Sequence, residues 1–200
     1  HLVTLPPCLD APAWTTRETR GPITDASPAR LLTVAMMRPG DKSSSYRLLA
    51  EALAFLPAGA RWTLDVVGDG PTRDDIEALF RPFGEQVRFR GALDHAALAA
   101  AYGEADLFVW PAVGEAYGMT FLEAQACGCP ILAGREGGVP AVLREGETGL
   151  LAARREAGGF AAALSGLLAE PARLRRMGGA ARRFVRDERD LPQAADILRE

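Results

Sequence analysis

The sequence predicts an α/β fold in which a parallel sheet of about six strands is covered by helices on both faces. From residue 31 onward, short apolar segments alternate with segments of helical periodicity. The apolar segments are nearly continuous in hydrophobicity, as expected for strands that are buried on both faces. Alternation of this kind is typical of βαβ units, in which a helix crosses between parallel strands. We therefore predict a Rossmann-like, doubly wound sheet.

Composition narrows the class of protein. The 200 residues are 48% hydrophobic and 24% charged, which is typical of a soluble globular domain. Twenty-six acidic residues against 23 basic ones give a net charge of −3 and argue against nucleic acid as the main partner. No apolar run approaches the roughly 18 residues that span a bilayer. Three cysteines provide no disulfide framework, so we expect a reducing, cytoplasmic location.

Three regions are predicted along the chain. Residues 1–29 are rich in proline, threonine and charge and show no sustained period, so we interpret them as a linker with one short strand at 1–5. Residues 30–186 carry the alternating pattern and form the main domain. Residues 187–200 are a C-terminal tail without an assigned structure.

The first half of the main domain begins with the apolar run L-L-T-V-A-M at 31–36, which predicts a buried strand. A polar loop follows at 38–42. Hydroxyl residues from Ser43 to Ser45 can cap a helix whose apolar positions recur to residue 56. The next predicted elements are a strand at 62–67, a helix at 72–80, a strand at 87–90, and a helix that is capped by Asp94 and continues through Tyr102.

The second half is organised around a strand–loop–helix–strand unit. Its strands are the apolar runs 106–110 and 130–133, and its helix begins after a glycine turn at Tyr117 and Gly118. Ligands of parallel sheets bind beyond the carboxyl ends of the strands, which is where this loop lies. The last predicted elements are a short helix at 139–145, a strand at 150–151, and helices at 158–169 and 171–185.

Two glutamates eight positions apart, Glu115 and Glu123, flank the glycine turn. Backbone N–H groups from Gly118 to Thr120 face outward at the helix start, where an anion is stabilised by unpaired donors and the helix dipole. Glu123 has two interpretations: it closes a capping box with Thr120, or its carboxylate accepts the two hydroxyls of a ribose. Glu115, in the loop, is either a solvated charge or a ligand contact.

Two cations, Arg38 and Lys42, follow the first strand of the main domain. In a parallel sheet their loop opens on the same edge as the Glu115 loop, so they are either a diphosphate site or a charged surface loop. The turn from Gly68 to Gly70 lacks the G-x-G-x-x-G phosphate pattern and is a weak signal alone.

Several kinds of chemistry have no residues to support them. The histidines are His1 and His95, which excludes a histidine-based metal site or triad within this sequence. There is no Asp-x-Asp pair, and Cys127-x-Cys129 does not have zinc-ligand spacing. The sequence therefore predicts no metal site of these kinds. The arginine-rich last helix is interpreted as a solvated face, with contact to an anionic membrane surface as the second interpretation.

Taken in order, the motifs resemble the C-terminal, donor-binding domain of GT-B glycosyltransferases, specifically the large retaining family 4, also called glycosyl transferases group 1. The resemblance runs from about residue 31 to 185. It is carried by Arg38 and Lys42 and by the segments V-V-G-D-G-P, V-R-F-R-G, A-D-L-F-V-W-P, E-A-Y-G-M-T-F-L-E, A-C-G-C-P-I-L-A, G-G-V-P-A-V-L and E-G-E-T-G-L-L.

The resemblance implies a function: binding of a UDP-, GDP- or ADP-sugar and transfer of a hexosyl unit that is metal-independent and needs no cofactor. It implies that Arg38 and Lys42 bind the diphosphate and assist its departure, that Glu115 contacts the transferred sugar, and that Glu123 holds the ribose. The remaining donor contacts that it implies are Gly68, Arg90, Gly91, Tyr117, Gly118, Met119 and Thr120.

The chain departs from the family pattern in two respects. Arg38 and Lys42 are four positions apart, where five is commoner, and the N-terminal domain that carries the acceptor is absent from these 200 residues. We expect half of an enzyme, which binds nucleotide weakly and transfers nothing alone. A nucleotide-sugar epimerase of related architecture and a non-catalytic nucleotide-sugar or partner-binding module remain as alternatives.

Overall fold

A six-stranded, fully parallel sheet forms the centre of the molecule in the computed structural model, which describes residues 5–14 and 27–199. The strand order across the sheet is β3-β2-β1-β4-β5-β6. The strands are β1 (Ala29–Val34), β2 (Trp62–Val67), β3 (Val87–Gly91), β4 (Leu107–Trp110), β5 (Ile131–Gly134) and β6 (Gly149–Ala152).

Helices connect the strands and cover the sheet on both sides. Two 3₁₀ helices, Arg81–Gln86 and Val139–Val142, add short turns. None of the helices in the described ranges is both long and apolar enough to cross a membrane. The α-helices are α1 (Ala11–Trp14), α2 (Asp41–Ala54), α3 (Arg73–Phe80), α4 (His95–Glu104), α5 (Met119–Ala126), α6 (Ala157–Leu168), α7 (Pro171–Glu188) and α8 (Leu191–Ile197).

The connections run outward from the centre of the sheet in both directions. From β1 the chain moves through α2 and α3 to β3 at one edge, and then α4 returns it to β4 on the other side of β1. Because crossovers between parallel strands are right-handed, the helices that connect strands on one side of β1 and those that connect strands on its other side cover opposite faces. Accordingly α2 packs with α3 and α6, whereas α5 packs with α4 and α7. The predicted doubly wound α/β fold is confirmed.

Aromatic packing fixes the helices that start at the carboxyl edge. The Tyr46 ring of α2 meets Trp110 of β4 edge-on at 4.9 Å, and its hydroxyl donates to the Ala35 carbonyl at 2.8 Å. On the other face, Phe121 of α5 meets Phe108 of β4 at 5.5 Å. All four buried rings lie in one continuous core. Both helices are therefore anchored within their first two turns, close to the end of β4.

The start of α2 differs from the sequence-based prediction. The helix begins at Asp41, with Gly40 as its N-cap, and not at the predicted Ser43–Ser45 cap. An acidic residue in the first turn complements the helix dipole and favours this earlier start. Ser45 has another role, since its hydroxyl donates to the Asp41 carbonyl and accepts from the Val113 N–H, both at 2.9 Å. Lys42 is consequently on a helix and not in a loop.

Other boundaries also shift. The first strand begins two residues earlier than predicted and ends at Val34, although the Ala35 N–H still donates to the Val67 carbonyl. The predicted helix at 139–145 is a 3₁₀ helix of four residues, 139–142. In the predicted tail, the last turn of α7 is followed by α8 at Leu191–Ile197.

Residues 5–14 of the predicted linker lie against this C-terminal segment. The Leu9 N–H donates to the Arg189 carbonyl at 2.9 Å, and the Leu191 N–H donates to the Leu9 carbonyl at 3.1 Å. The short strand predicted at 1–5 falls almost wholly outside the described residues, and Leu5 itself is not in a strand. The division into linker, domain and tail stays a prediction.

Candidate functional site

The candidate site lies at the ends of β1 and β4, from which the chain continues in opposite directions across the sheet. Strands β1 and β4 are neighbours, and the helices that follow them cover opposite faces, so a crevice opens beyond their carboxyl ends. A cavity of about 390 Å³ occupies this position. Its lining residues are at or beyond the carboxyl ends of four strands: Val34, Ala35, Met36, Lys42, Val67, Gly68, Asp69, Ala92, Leu93, Leu98, Glu115, Gly118, Met119 and Thr120.

The cavity combines Lys42 and Glu115, two predicted site residues that are 73 positions apart. The Lys42 ammonium donates to the Glu115 carboxylate at 2.5 Å and lies 5.6 Å from the centre of the Trp110 ring. Both charged side chains are less than one-fifth exposed. Water competes weakly at such a site, so the pair is held more firmly than a surface ion pair. The first turn of α2 is thereby tied to the loop after β4.

Arg38, the other predicted cation, is exposed on the approach to α2. Its carbonyl accepts a hydrogen bond from the Ser43 hydroxyl at 2.9 Å. Within the described parts of the chain, its guanidinium has no hydrogen-bond or ion-pair partner. Arg38 is not part of the cavity wall, but it is four residues from Lys42 on the same side of the sheet. Its five N–H donors are therefore available to an anion beside the cavity.

The N-terminus of α5 forms the wall opposite Lys42. The helix begins at Met119, and Gly118 is its N-cap in a left-handed conformation, φ 74°, that glycine adopts without steric cost. The predicted capping box is therefore wrong: Thr120 lies inside the helix, and the N-cap has no side-chain hydrogen bond. The first N–H groups of any helix have no partner within it, which leaves those of Met119 and Thr120 facing the cavity region.

The second glutamate, Glu123, is one turn further along α5 and is half-buried outside the cavity wall. Its carboxylate accepts a hydrogen bond from the Tyr102 hydroxyl of α4 at 3.1 Å. Burial raises the pKa of Glu123, and the Tyr102 hydrogen bond and nearby His95 oppose that rise. Met119 and Thr120, one turn earlier on the same helix, line the cavity, whereas Glu123 itself does not.

The loop after β3 forms the apolar end of the cavity. Ala92, Leu93 and Leu98 line it, whereas the predicted contacts Arg90 and Gly91 do not. The Arg90 guanidinium is engaged by Asp65 at 2.7 Å, and the Gly91 carbonyl accepts from the Gly68 N–H at 2.8 Å. A flat, apolar ligand group would therefore contact the leucines. The contacts predicted for Arg90 and Gly91 stay predictions.

Glycine is required at Gly68, one of the residues that line the cavity. Gly68 has φ 136°, and a side chain there would overlap the Ala35 carbonyl of the neighbouring strand. The turn can consequently approach the end of β1 closely only without a Cβ atom. Tyr117 is half-exposed and packs against Gly138 instead of lining the cavity.

Sequence reasoning missed three residues of the site. Tyr102 donates a hydrogen bond to Glu123, the Trp110 ring lies beside the Lys42 ammonium, and Asp69 lines the cavity.

The composition contains a further signal for Lys42, which was predicted: it is the single lysine of a chain in which 22 of 23 basic residues are arginine. A compact ammonium is thus used at one position, and guanidinium groups are used elsewhere.

Replacing Tyr102 by phenylalanine tests whether Glu123 is a ligand group that Tyr102 orients. We expect the variant to bind nucleotide about two- to tenfold more weakly, since one hydrogen bond of about 0.5–1.5 kcal/mol is lost. Isothermal titration of both proteins measures the difference. Equal affinities, with both proteins folded, would show that the Tyr102 hydroxyl plays no part in binding.

The fold and the site together define a doubly wound α/β domain with a cavity at its switch point, in which Lys42 is paired with Glu115. Within the described ranges, no group of three or more histidine, cysteine, aspartate or glutamate residues is placed to hold a metal ion. The family is shown by a direct match: the chain belongs to glycosyl transferases group 1, whose family model matches residues 28–170. The resemblance seen in the motifs is confirmed at this level.

Known proteins agree with this assignment. Sulfoquinovosyl transferase SQD2 of Arabidopsis thaliana is 34% identical over 143 residues, covering 70% of this chain and 27% of that protein. Sucrose-phosphate synthase of Thermosynechococcus elongatus superposes with a TM-score of 0.81 at 27% identity, covering 97% of this chain and 50% of that one. The chain therefore spans half or less of the length of these proteins.

A third comparison supports the fold alone. The Anabaena protein HepE, solved in complex with UDP and glucose, superposes with a TM-score of 0.78 at 18% identity. The match covers 96% of this chain and 54% of HepE. The sheet and helices described above are thus those of GT-B glycosyltransferases.

Proposed function

We propose that this chain is the C-terminal, donor-binding half of a family 4, retaining, metal-independent glycosyltransferase. It would bind a UDP-, GDP- or ADP-sugar and transfer a hexosyl unit to an acceptor held by an N-terminal domain. One observation carries the proposal: Lys42 and Glu115 meet within hydrogen-bond distance beside the N-terminus of α5. Glycosyltransferase relatives and the UDP complex of a protein with the same fold support it.

The proposed chemistry follows from the charges. Departure of a nucleoside diphosphate builds negative charge on the phosphate oxygens. The Lys42 ammonium, the Arg38 guanidinium and the α5 N–H groups stabilise that charge without reorganising during the reaction. Lys42 is already paired with Glu115, so ligand binding transfers the ammonium from a carboxylate to a phosphate and frees Glu115 to accept a sugar hydroxyl.

The remaining contacts are assigned by position. Glu123 accepts the ribose hydroxyls, and the base lies against Leu93 and Leu98 at the apolar end of the cavity. We place the protein in the cytoplasm. In the complete protein, the arginine-rich face of α7 would make a peripheral contact with the inner membrane surface. The isolated chain binds nucleotide and does not transfer sugar.

A thermal-shift panel tests the proposed function. We expect one of UDP, GDP and ADP to raise the melting temperature, because a ligand that binds only the folded state stabilises it. At about 100 times Kd the gain is about 2.7 kcal/mol, or about 5–10 °C for a domain of this size. The matching nucleoside monophosphate, which lacks the second phosphate, is expected to stabilise less. The absence of a shift with any nucleotide would contradict the proposal.

The two alternatives predict different products in the complete protein. An epimerase changes the donor sugar without an acceptor, and a binding module neither transfers nor slowly hydrolyses the donor. A product assay with and without acceptor separates all three functions.

The pH dependence of binding provides a further test. Burial raises the pKa of Glu123, so its ionised fraction declines at a higher pH than that of an ordinary glutamate. Nucleotide affinity is expected to be constant above that pKa and to weaken as the pH falls through it. The affinity ratio of wild type to Glu123→Gln, measured by titration across this range, cancels the titration of the phosphates. A ratio that does not change with pH would exclude ionised Glu123 as the ligand group.

A further inference from the structure

A second cluster of charges lies at the carboxyl edge, outside the cavity. Glu136 follows β5 and is 2% exposed. Its Oε1 atom accepts hydrogen bonds from the Nε atoms of Arg154 at 2.8 Å and Arg155 at 2.9 Å. The two arginine side chains are 63% and 53% exposed. One buried carboxylate thus positions two surface guanidinium groups.

The cluster is connected to the loop that carries Glu115. The turn after Glu136 packs on this loop: the Gly138 N–H donates to the Ala116 carbonyl at 2.6 Å, and a side chain on Gly137 would overlap the Glu115 carbonyl. Strands β4, β5 and β6 are consecutive in the sheet. At about 4.8 Å per strand, the end of β6 is about 10 Å from the end of β4. The cluster therefore borders the Glu115 loop on the side away from β1 and the cavity.

The cluster has more positive charge than its carboxylate needs. Burial alone would raise the pKa of Glu136, but hydrogen bonds and charge from Arg154 and Arg155 outweigh this and hold the pKa below its ordinary value. Glu136 is therefore ionised near neutral pH, and one arginine would neutralise it. The second arginine leaves a net charge of +1.

The guanidinium groups also have unused donors. Each uses Nε toward Glu136, and the terminal nitrogens have no partner elsewhere in residues 5–14 and 27–199. Arg155 has a left-handed backbone, φ 53°, which is uncommon for a residue with a side chain. The pair is thus held in place before any ligand arrives, and planar guanidinium groups suit bidentate contact with phosphate-type oxyanions.

We propose that Arg154 and Arg155, positioned by Glu136, bind a phosphate-type oxyanion carried by the acceptor. The inference rests on the proposed function, because it takes the carboxyl edge beside Glu115 as the place of transfer. The same chemistry is present in the donor diphosphate, so the test must separate the two sources. With the donor site filled by nucleotide, an acceptor-type site still takes up phosphate.

The experiment titrates inorganic phosphate into the chain saturated with the nucleoside diphosphate that stabilises it most. Binding is followed by the NMR signals of the arginine Nε–H groups. We expect phosphate to bind the wild type, Arg154→Gln and Arg155→Gln each to weaken it severalfold, and the double variant to weaken it at least about tenfold. Arg175→Gln, a change at an exposed arginine of α7, is the matched control and should leave phosphate affinity unchanged. All four variants should keep the wild-type affinity for nucleotide.

Each other outcome overturns the inference. Equal phosphate affinity in the double variant would place the anion elsewhere, and phosphate binding that occurs only without nucleotide would assign it to the donor site. Absence of phosphate binding while nucleotide binds would refute this inference and leave the proposed function intact, whereas absence of nucleotide binding would refute the proposed function. Where a glutamine variant melts early, Arg154→Lys and Arg155→Lys keep the charge and remove the bidentate geometry, and the same loss of affinity is expected.

Discussion

Under the proposed function, replacing Lys42 by alanine in the full-length protein is expected to lower turnover about 100- to 1,000-fold, with a smaller loss of donor binding. The reason is that the ammonium stabilises charge that develops fully only as the diphosphate leaves. In the free enzyme, the same ammonium already pairs with Glu115, so ground-state binding exchanges one anion for another. Steady-state kinetics with varied donor separates the two effects.

Lys42→Arg is the control for this experiment, because it keeps the positive charge but replaces the compact ammonium. Trp110 packs beside the ammonium, so a larger planar group is expected to restore turnover only in part. Normal turnover in Lys42→Ala would remove Lys42 from the mechanism. A loss of turnover matched by an equal loss of donor affinity would limit Lys42 to binding.

Replacing Glu123 by alanine is expected to weaken nucleoside diphosphate binding about 10- to 100-fold. Hydrogen bonds to a charged group contribute about 1.5–3 kcal/mol, and about 1.4 kcal/mol corresponds to tenfold in Kd. This experiment needs only the chain described above, since it measures binding by titration and not transfer.

Glu104→Ala is the matched control for Glu123, because Glu104 is exposed at the end of α4 and no contact of its side chain is seen within the described ranges. The affinity of the Glu104→Ala variant for the nucleoside diphosphate should equal that of the wild type. An unchanged affinity in Glu123→Ala would exclude the ribose contact and leave Glu123 as a partner of Tyr102 alone.

The sheet and the placement of Lys42 and Glu115 at one edge of it could be predicted from the sequence, but their ion pair could not. Apolar strands alternate clearly with helices, and the carboxyl ends of parallel strands share one edge whatever the loop conformations are. This rule brings together residues 73 positions apart without any knowledge of side-chain packing. It explains why both residues were placed at the correct edge although the N-cap of α2, Gly40, lies three residues before the earliest predicted cap.

The contacts of Glu123 and Arg90 could not be predicted in the same way. Glu123 matched a capping-box pattern with Thr120, but Gly118, with its positive φ, is the N-cap, so the helix starts two residues earlier and the carboxylate accepts from Tyr102 on another helix. Arg90 pairs with Asp65 because β2 and β3 lie side by side in a particular register. Both outcomes depend on tertiary packing, which local patterns do not contain.

The Glu136 cluster was missed for a related reason. Arg154 and Arg155 lie 18 and 19 positions after Glu136, on a turn that follows a different strand. The sequence between them has no motif that indicates their contact. Their contact depends on β5 and β6 pairing with both carboxyl ends on one edge. A parallel sheet brings both turns to one edge, but local sequence patterns do not pair their side chains.

The most direct test of the central claim is a crystal structure of this chain with the nucleoside diphosphate that raises its melting temperature most. We predict that the ribose hydroxyls contact Glu123, that the diphosphate lies between Lys42 and the N-terminus of α5, and that the base packs on Leu93 and Leu98. A nucleotide bound elsewhere, or bound in this cavity with its phosphates turned away from Lys42, would contradict the account.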